Sequence, residues 1–164
     1  MFTLVSFNSI DMKKSACFPG SFDPFTKGHE DIIRKGLDLF DEIVIAVGVN
    51  SSKNYLFPLE KRLNHIKSCF ESEPKIRVIT YQKLTVDMCK DEGCNYILRG
   101  LRDVKDFNYE VPIALMNRSM SEIETVFLIP DTSLFAINAT IIREIYKNGG
   151  KIDKYVTNFE QLVN

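Results

Sequence analysis

Five short apolar runs alternate along the chain with stretches whose apolar positions recur every three or four residues. The runs are "SACF" (15–18), "EIVIAVGV" (42–49), "IRVIT" (76–80), "NYILR" (95–99) and "TVFLI" (125–129). After its glutamate the second is uninterrupted by polar residues, the mark of a strand covered on both faces. Between the first two runs, Ile32, Ile33, Leu37 and Phe40 fall at helical spacing and predict a helix from His29 to Phe40. Leu59, Leu63, Ile66 and Phe70 predict a second, opened by Pro58, and residues 86–92 a short third that ends at Gly93. Residues 103–120 read as a long helix in which Pro112 predicts an early end, a kink or a split. Asn138 can cap a helix running through Ile141, Ile142, Ile145 and Tyr146 to Gly149-Gly150, and "TNFE" (157–160) has the pattern of a capping box.

Strands that alternate with helices, without repeats or low-complexity linkers, predict an α/β fold. The expected architecture is a single-domain, doubly wound (Rossmann-like), five-stranded parallel sheet with helices on both faces. The domain is expected to span 12–164. Residues 1–11 are expected to form a loosely held extension, with Met12, followed by Lys13 and Lys14, as an alternative start. Right-handed crossovers place every strand-to-helix loop on one edge of such a sheet, and ligands bind outside the carboxyl ends of its strands.

Composition narrows the ligand. At 164 residues and 45% hydrophobic, the chain has enough apolar material for one full core. Its 21 Lys+Arg against 22 Asp+Glu leave a formal charge of -1, which disfavours wholesale binding of nucleic acid or of an anionic membrane. Any anion must be met by a few cations gathered locally. No apolar run reaches the roughly 20 residues of a membrane span, and the apolar patch near the start has no preceding Lys or Arg, which argues against a secretory signal. Cys17, Cys69, Cys89 and Cys94 form no C-x-x-C pair and only two histidines exist, so zinc spacing is not met. Cys17 and Cys69 read as small core hydrophobes, His65 as an exposed helix position, and a reducing cytoplasm is the simplest setting.

The predicted edge collects cations and hydroxyls from four loops: Ser21, Lys27 and His29; Ser51, Ser52 and Lys53; Arg99, Gly100 and Arg102; Asn138, Thr140 and Arg143. Each alone is an ordinary loop residue or helix end; their convergence on one edge suits a polyphosphate. Helix starts after Gly28 and after Asn138 add unpaired backbone N–H groups and positive dipole ends, and arginine can grip phosphate bidentately. The chain has no G-x-x-x-x-G-K-[ST] motif, no G-x-G-x-x-G after its first strand and no G-x-S-x-G elbow. Those absences disfavour a P-loop NTPase, a dinucleotide site and a serine hydrolase.

"GSFDPFTKGH" (20–29) resembles the first signature of the T/H-x-G-H nucleotidyltransferase superfamily. Together with "SSK" (51–53), "ILRGLRDVKDFNYE" (97–110), "MNR" (116–118) and "INATIIRE" (137–144), it is similar to the phosphopantetheine adenylyltransferase family. That resemblance implies transfer of AMP from ATP to 4'-phosphopantetheine, giving dephospho-coenzyme A and pyrophosphate, with Mg²⁺ assisting. It further implies a homohexamer in the cytoplasm, with coenzyme A as a feedback inhibitor. Carried over by position, His29, Lys53 and Arg102 are the catalytic group, His29 stabilising the transition state. Ser21, Phe22, His29, Gly100, Leu101, Arg102, Glu110, Leu134, Phe135, Ala136, Ile137, Asn138, Ala139 and Thr140 match ATP-binding positions. Ser21, Lys53, Thr85 and Arg99 match acceptor positions, Thr85 largely through its backbone. The family pattern Ile-Ser-Ser-Ser/Thr is replaced here by Ile137-Asn138-Ala139-Thr140, which removes a hydroxyl and points to altered ATP affinity. A sister nucleotidyltransferase with another phosphate acceptor, or a nucleotide-binding module without turnover, remains an alternative.

Overall fold

The computed structural model describes residues 13–163, so the extension expected over 1–11 lies outside the described residues. The strands are β1 (Ser15–Gly20), β2 (Glu42–Gly48), β3 (Ile76–Tyr81), β4 (Tyr96–Gly100) and β5 (Glu124–Leu128). The helices are α1 (Lys27–Gly36), α2 (Leu59–Cys69), α3 (Thr85–Asp91), α4 (Val104–Ser121), α5 (Ala139–Lys147) and α6 (Glu160–Val163). All strands pair in parallel, in the order β3-β2-β1-β4-β5. The chain therefore winds outward from β1 through β2 to β3, then returns to β4 on the other side. A crevice opens at the carboxyl ends of β1 and β4, where the winding reverses.

Alternation along the strands splits the core into two layers. Ala16, Phe18, Ile43, Ile45 and Val47 meet Ile32 and Ile33 of α1 and Ile66 of α2 on one face. Cys17, Val44, Ala46 and Ile97 meet Val86, Met88 and Cys89 of α3 on the other. A third cluster, with Phe57, Ile142, Ile152, Val156 and Leu162, seats α5 and the C-terminal stretch beside α2.

Five local readings change. Helix α1 starts two residues early, because Thr26 rather than Gly28 is its cap. Helix α4 runs through Pro112 as one element; the proline forfeits its bond to the Asn108 carbonyl, which lies on an exposed stretch where water can replace it. Thr157 does not form the expected capping box: its hydroxyl donates to Glu30 Oε2 at 2.6 Å, and α6 starts only at Glu160. That same stretch covers His65, which is fully buried, its Nε2 donating to the Thr157 carbonyl at 2.6 Å. Cys17 is buried as expected, whereas Cys69 is half-buried beside His65.

Candidate active site

The loop from β1 to α1 turns sharply. Phe22 takes a left-handed backbone (φ 47°), and its ring folds back so closely that a Cβ on Gly20 would come within 2.7 Å of it. Only glycine fits there. At Gly28 the nearest atom to such a Cβ is Thr26 Oγ1, 3.7 Å away, so the residue is not shaped by protein packing and the space above it belongs to a cavity.

Thr26 and His29 cap α1 reciprocally. Thr26 Oγ1 accepts from the His29 N–H at 3.4 Å, and His29 Nδ1 accepts from the Thr26 N–H at 3.0 Å. Imidazole thus takes the place that glutamate holds in the usual capping box. Because a backbone N–H can only donate, Nδ1 is the acceptor and the neutral ring carries its proton on Nε2. The ring sits among Phe18, Phe22 and Phe25, with centroids 6.3, 5.3 and 5.5 Å away. This burial, with repulsion from the Arg99 and Arg102 guanidinium groups, pushes its pKa down from 6.5 to about 4. His29 is therefore a neutral donor through Nε2–H.

Three arginines tie the strand-end loops together. Arg99, at the end of β4, donates to the Pro19 carbonyl at 2.6 Å and grips Glu110 of α4 with two guanidinium nitrogens, Nε at 2.8 Å from Oε2. Arg102 forks onto Asp106 at 2.8 and 3.0 Å and reaches the Ile137 carbonyl at 2.9 Å, joining the β4 loop to the approach to α5. That pairing holds the Asp106 carboxyl below its usual range. Arg143 donates to the Asp23 carbonyl at 2.8 Å and to Thr140 Oγ1 at 3.0 Å, closing the ring back to the β1 loop. Asn138 caps α5, its Oδ1 accepting from the Thr140 N–H at 2.8 Å.

Two adjoining cavities result. One, of about 390 Å³, is lined by Ser21, Phe22, Gly28, His29, Arg99, Gly100, Arg102, Glu110, Arg143 and residues 137–140. The other, of about 630 Å³, is lined by Ser21, Lys53, Tyr55, Thr85, Arg99, Tyr109, Glu110 and Asn117. Pro19, Gly20, Ser21, Arg99 and Glu110 are common to both and form the seam. Lys53 lies on an exposed loop, and its amine has no partner among the described residues. The convergence expected from sequence is present: His29, Arg99 and Arg102 share the smaller cavity, and Lys53 and Arg99 the larger. Leu101, Leu134, Phe135 and Ala136 line neither.

Several lining or supporting residues carried no sequence signal of their own. The Asp23 carboxylate accepts from the Leu56 and Phe57 N–H groups at 2.7 and 2.9 Å, which fixes the β2–α2 loop against the β1–α1 loop. Tyr55 and Arg62 extend that junction. Asp106 had a local signal that could have found it, an acid in the first turn of α4 four positions after Arg102.

Comparison with known proteins fits this geometry. A family model described as "Cytidylyltransferase-like" matches residues 17–145. A phosphopantetheine adenylyltransferase of Flavobacterium johnsoniae is 51% identical over 143 residues, which cover 87% of this chain and 94% of that protein. The chain belongs to the phosphopantetheine adenylyltransferase family. Members from Leptospira biflexa and Bacteroides fragilis are 47% and 41% identical, over 88% and 87% of this chain and 91% and 95% of theirs. A bifunctional NMN adenylyltransferase/ADP ribose pyrophosphatase from Francisella tularensis superimposes with a TM-score of 0.68 at 17% identity. That match covers 88% of this chain and 45% of the longer protein, and it establishes a shared fold. Among the described residues no helix is long and apolar enough to cross a membrane.

Proposed function

We propose that the protein transfers AMP from ATP to 4'-phosphopantetheine, yielding dephospho-coenzyme A and pyrophosphate. The observation that carries this reading is the pair of cavities joined at Arg99, one ringed by arginines and a capped helix start, the other opening past Lys53. A triphosphate suits the first, and a phosphate on a long, mostly apolar arm suits the second.

The reaction joins a phosphate oxygen of the acceptor to the α-phosphorus of ATP as the bond from that phosphorus to pyrophosphate breaks. The nucleophile is already an anion, so no base is needed. The barrier is repulsion between two anions, and positioning with charge neutralisation lowers it. Neutral His29 donates from Nε2 to a non-bridging α-phosphate oxygen, where negative charge grows. Lys53 and Arg99 hold the incoming phosphate. Arg102, Arg143 and the N-terminus of α5 face the leaving pyrophosphate, with Asn138 keeping that helix start formed although Ala139 lacks a hydroxyl.

Mg²⁺ enters this scheme on the triphosphate as part of the nucleotide substrate. Asp106 and Glu110 are engaged by arginines, and no cluster of acidic, His or Cys side chains among the described residues could hold the ion by itself. Assembly as a homohexamer draws support from α4, which buries no residue and exposes Val104, Phe107, Leu115 and Met116. A cytoplasmic site of action and feedback by coenzyme A follow from the same family reading.

The test is incubation with ATP and 4'-phosphopantetheine, with mass-spectrometric detection of dephospho-coenzyme A. Nicotinate mononucleotide, FMN and glycerol 3-phosphate serve as competing acceptors. Product from 4'-phosphopantetheine alone is expected; pyrophosphate release with another acceptor, or with none, contradicts the reading.

A further inference from the structure

Arg62 of α2 is only 1% exposed, and among the described residues no carboxylate lies within ion-pair distance of it. Burying a guanidinium without an ion pair is costly unless its donors find acceptors. Here Nε and Nη1 are directed at backbone carbonyls from two different loops, and the Asp23 carboxylate favours the charge through space. Nη1 donates to the Ser21 carbonyl at 2.5 Å and Nε to the Phe57 carbonyl at 3.1 Å. Its Cζ lies over the Tyr55 ring, 4.0 Å from the centroid. Tyr55 carries the contact onward: its hydroxyl accepts from the Asn50 N–H at 3.1 Å and donates to the Gly48 carbonyl at 3.3 Å. The Asn50 carbonyl then accepts from the Lys53 N–H at 3.1 Å.

We infer that Arg62 is a positioning residue that sets the Lys53 loop in register with Ser21 at the seam of the two cavities. This rests on the assignment of Lys53 to the acceptor phosphate. The chain of contacts reaches Lys53 only through its backbone, so the lysine amine stays free while the base of its loop is fixed. Lysine cannot replace arginine here, because a compact ammonium cannot reach two carbonyls from separate loops while its charge also lies over the Tyr55 ring.

The test is a double-mutant cycle between Arg62→Lys and Lys53→Ala, read as kcat/KM for 4'-phosphopantetheine and, separately, as KM for ATP. Small displacements of a positioning group cost up to about 100-fold. Arg62→Lys is accordingly expected to lower acceptor kcat/KM by roughly 10- to 100-fold, mostly through KM, and to leave KM for ATP within about twofold. In the Lys53→Ala background the same change is expected to cost less than about twofold, since the loop then has no cation to place. An equal loss in both backgrounds, or an equal loss for both substrates, overturns the inference, because a purely structural role predicts that. Tyr55→Phe keeps the ring and removes only the hydroxyl latch, and it answers the question even where Arg62→Lys fails to fold. Its expected loss, roughly two- to tenfold, is also absent with Lys53→Ala, and a loss that persists there overturns the inference. If Lys53→Ala alone leaves acceptor KM unchanged, the assignment of Lys53 fails instead, which the single variant shows directly.

Discussion

The two cavities hold their charges in opposite ways. Around His29 each cationic or donor group is fixed by at least two hydrogen bonds: His29 by its reciprocal cap with Thr26, Arg102 by Asp106 and Ile137, Arg143 by Asp23 and Thr140. Beside Lys53 the base of the loop is anchored, but the amine itself is exposed and has no partner among the described residues. A donor that must meet charge as it develops works best when already oriented, since no reorganisation is then needed in the transition state. A cation that must first capture an incoming phosphate gains from reach. Arg99 belongs to both sides, its guanidinium held by Glu110 and by the Pro19 carbonyl at the seam.

Breaking the seam gives the largest expected effect. Arg99→Met removes the shared cation and leaves the Glu110 carboxylate without its partner; turnover is expected to fall about 10³-fold, with both substrates affected. Steady-state kinetics varying each substrate in turn checks this, and a defect confined to one of them separates the cavities. Lys53→Ala sharpens the contrast from the flexible side. Loss of a charge-assisted hydrogen bond is expected to raise acceptor KM roughly 10- to 100-fold, while calorimetric ATP affinity stays within about twofold.

Asn138→Ala probes the preset side more gently. Removing a helix cap costs about 1 kcal/mol of stability, visible in a denaturation midpoint, and ATP KM is expected to rise only a few-fold. The smallest effect is one of pH. In the free protein His29 is expected to remain neutral from pH 8 to below pH 6.5, with its NMR signal moving only near pH 4. On acidification the unfolded chain takes up this proton first. The contribution to stability is therefore complete above pH 6.5 and is lost as pH falls through about 4. A titration centred at the ordinary value places the ring in water, outside its aromatic box.

The sheet was legible because β1 and β2 are covered on both faces, so their sequences are almost wholly apolar and could not pass for exposed segments. The end of α3 and the start of α5 were legible because they depend on single residues, Gly93 in a left-handed conformation and Asn138 as a cap. The candidate site was legible as a list of residue types on one sheet edge, but not as a set of pairings. Arg99 finds Glu110 eleven positions away only because β4 feeds directly into α4. His65 was misread for the same reason in stronger form: the residue that covers it, Thr157, is 92 positions distant, and nothing local marks that contact. His29 was recognised as a candidate donor, yet its role as a helix cap, which decides which nitrogen bears the proton, needed the geometry of Thr26.

The central claim is that a neutral, pre-oriented imidazole lowers the barrier between two anions without contributing much to ground-state binding. The most direct measurement is the single-turnover rate of AMP transfer by His29→Ala at saturating substrates, with the ATP dissociation constant determined separately. A rate lower by about 10²–10³, with ATP affinity within about threefold of the unaltered protein, is the predicted result. Near-normal turnover would contradict the account, as would a rate loss that ATP affinity fully explains.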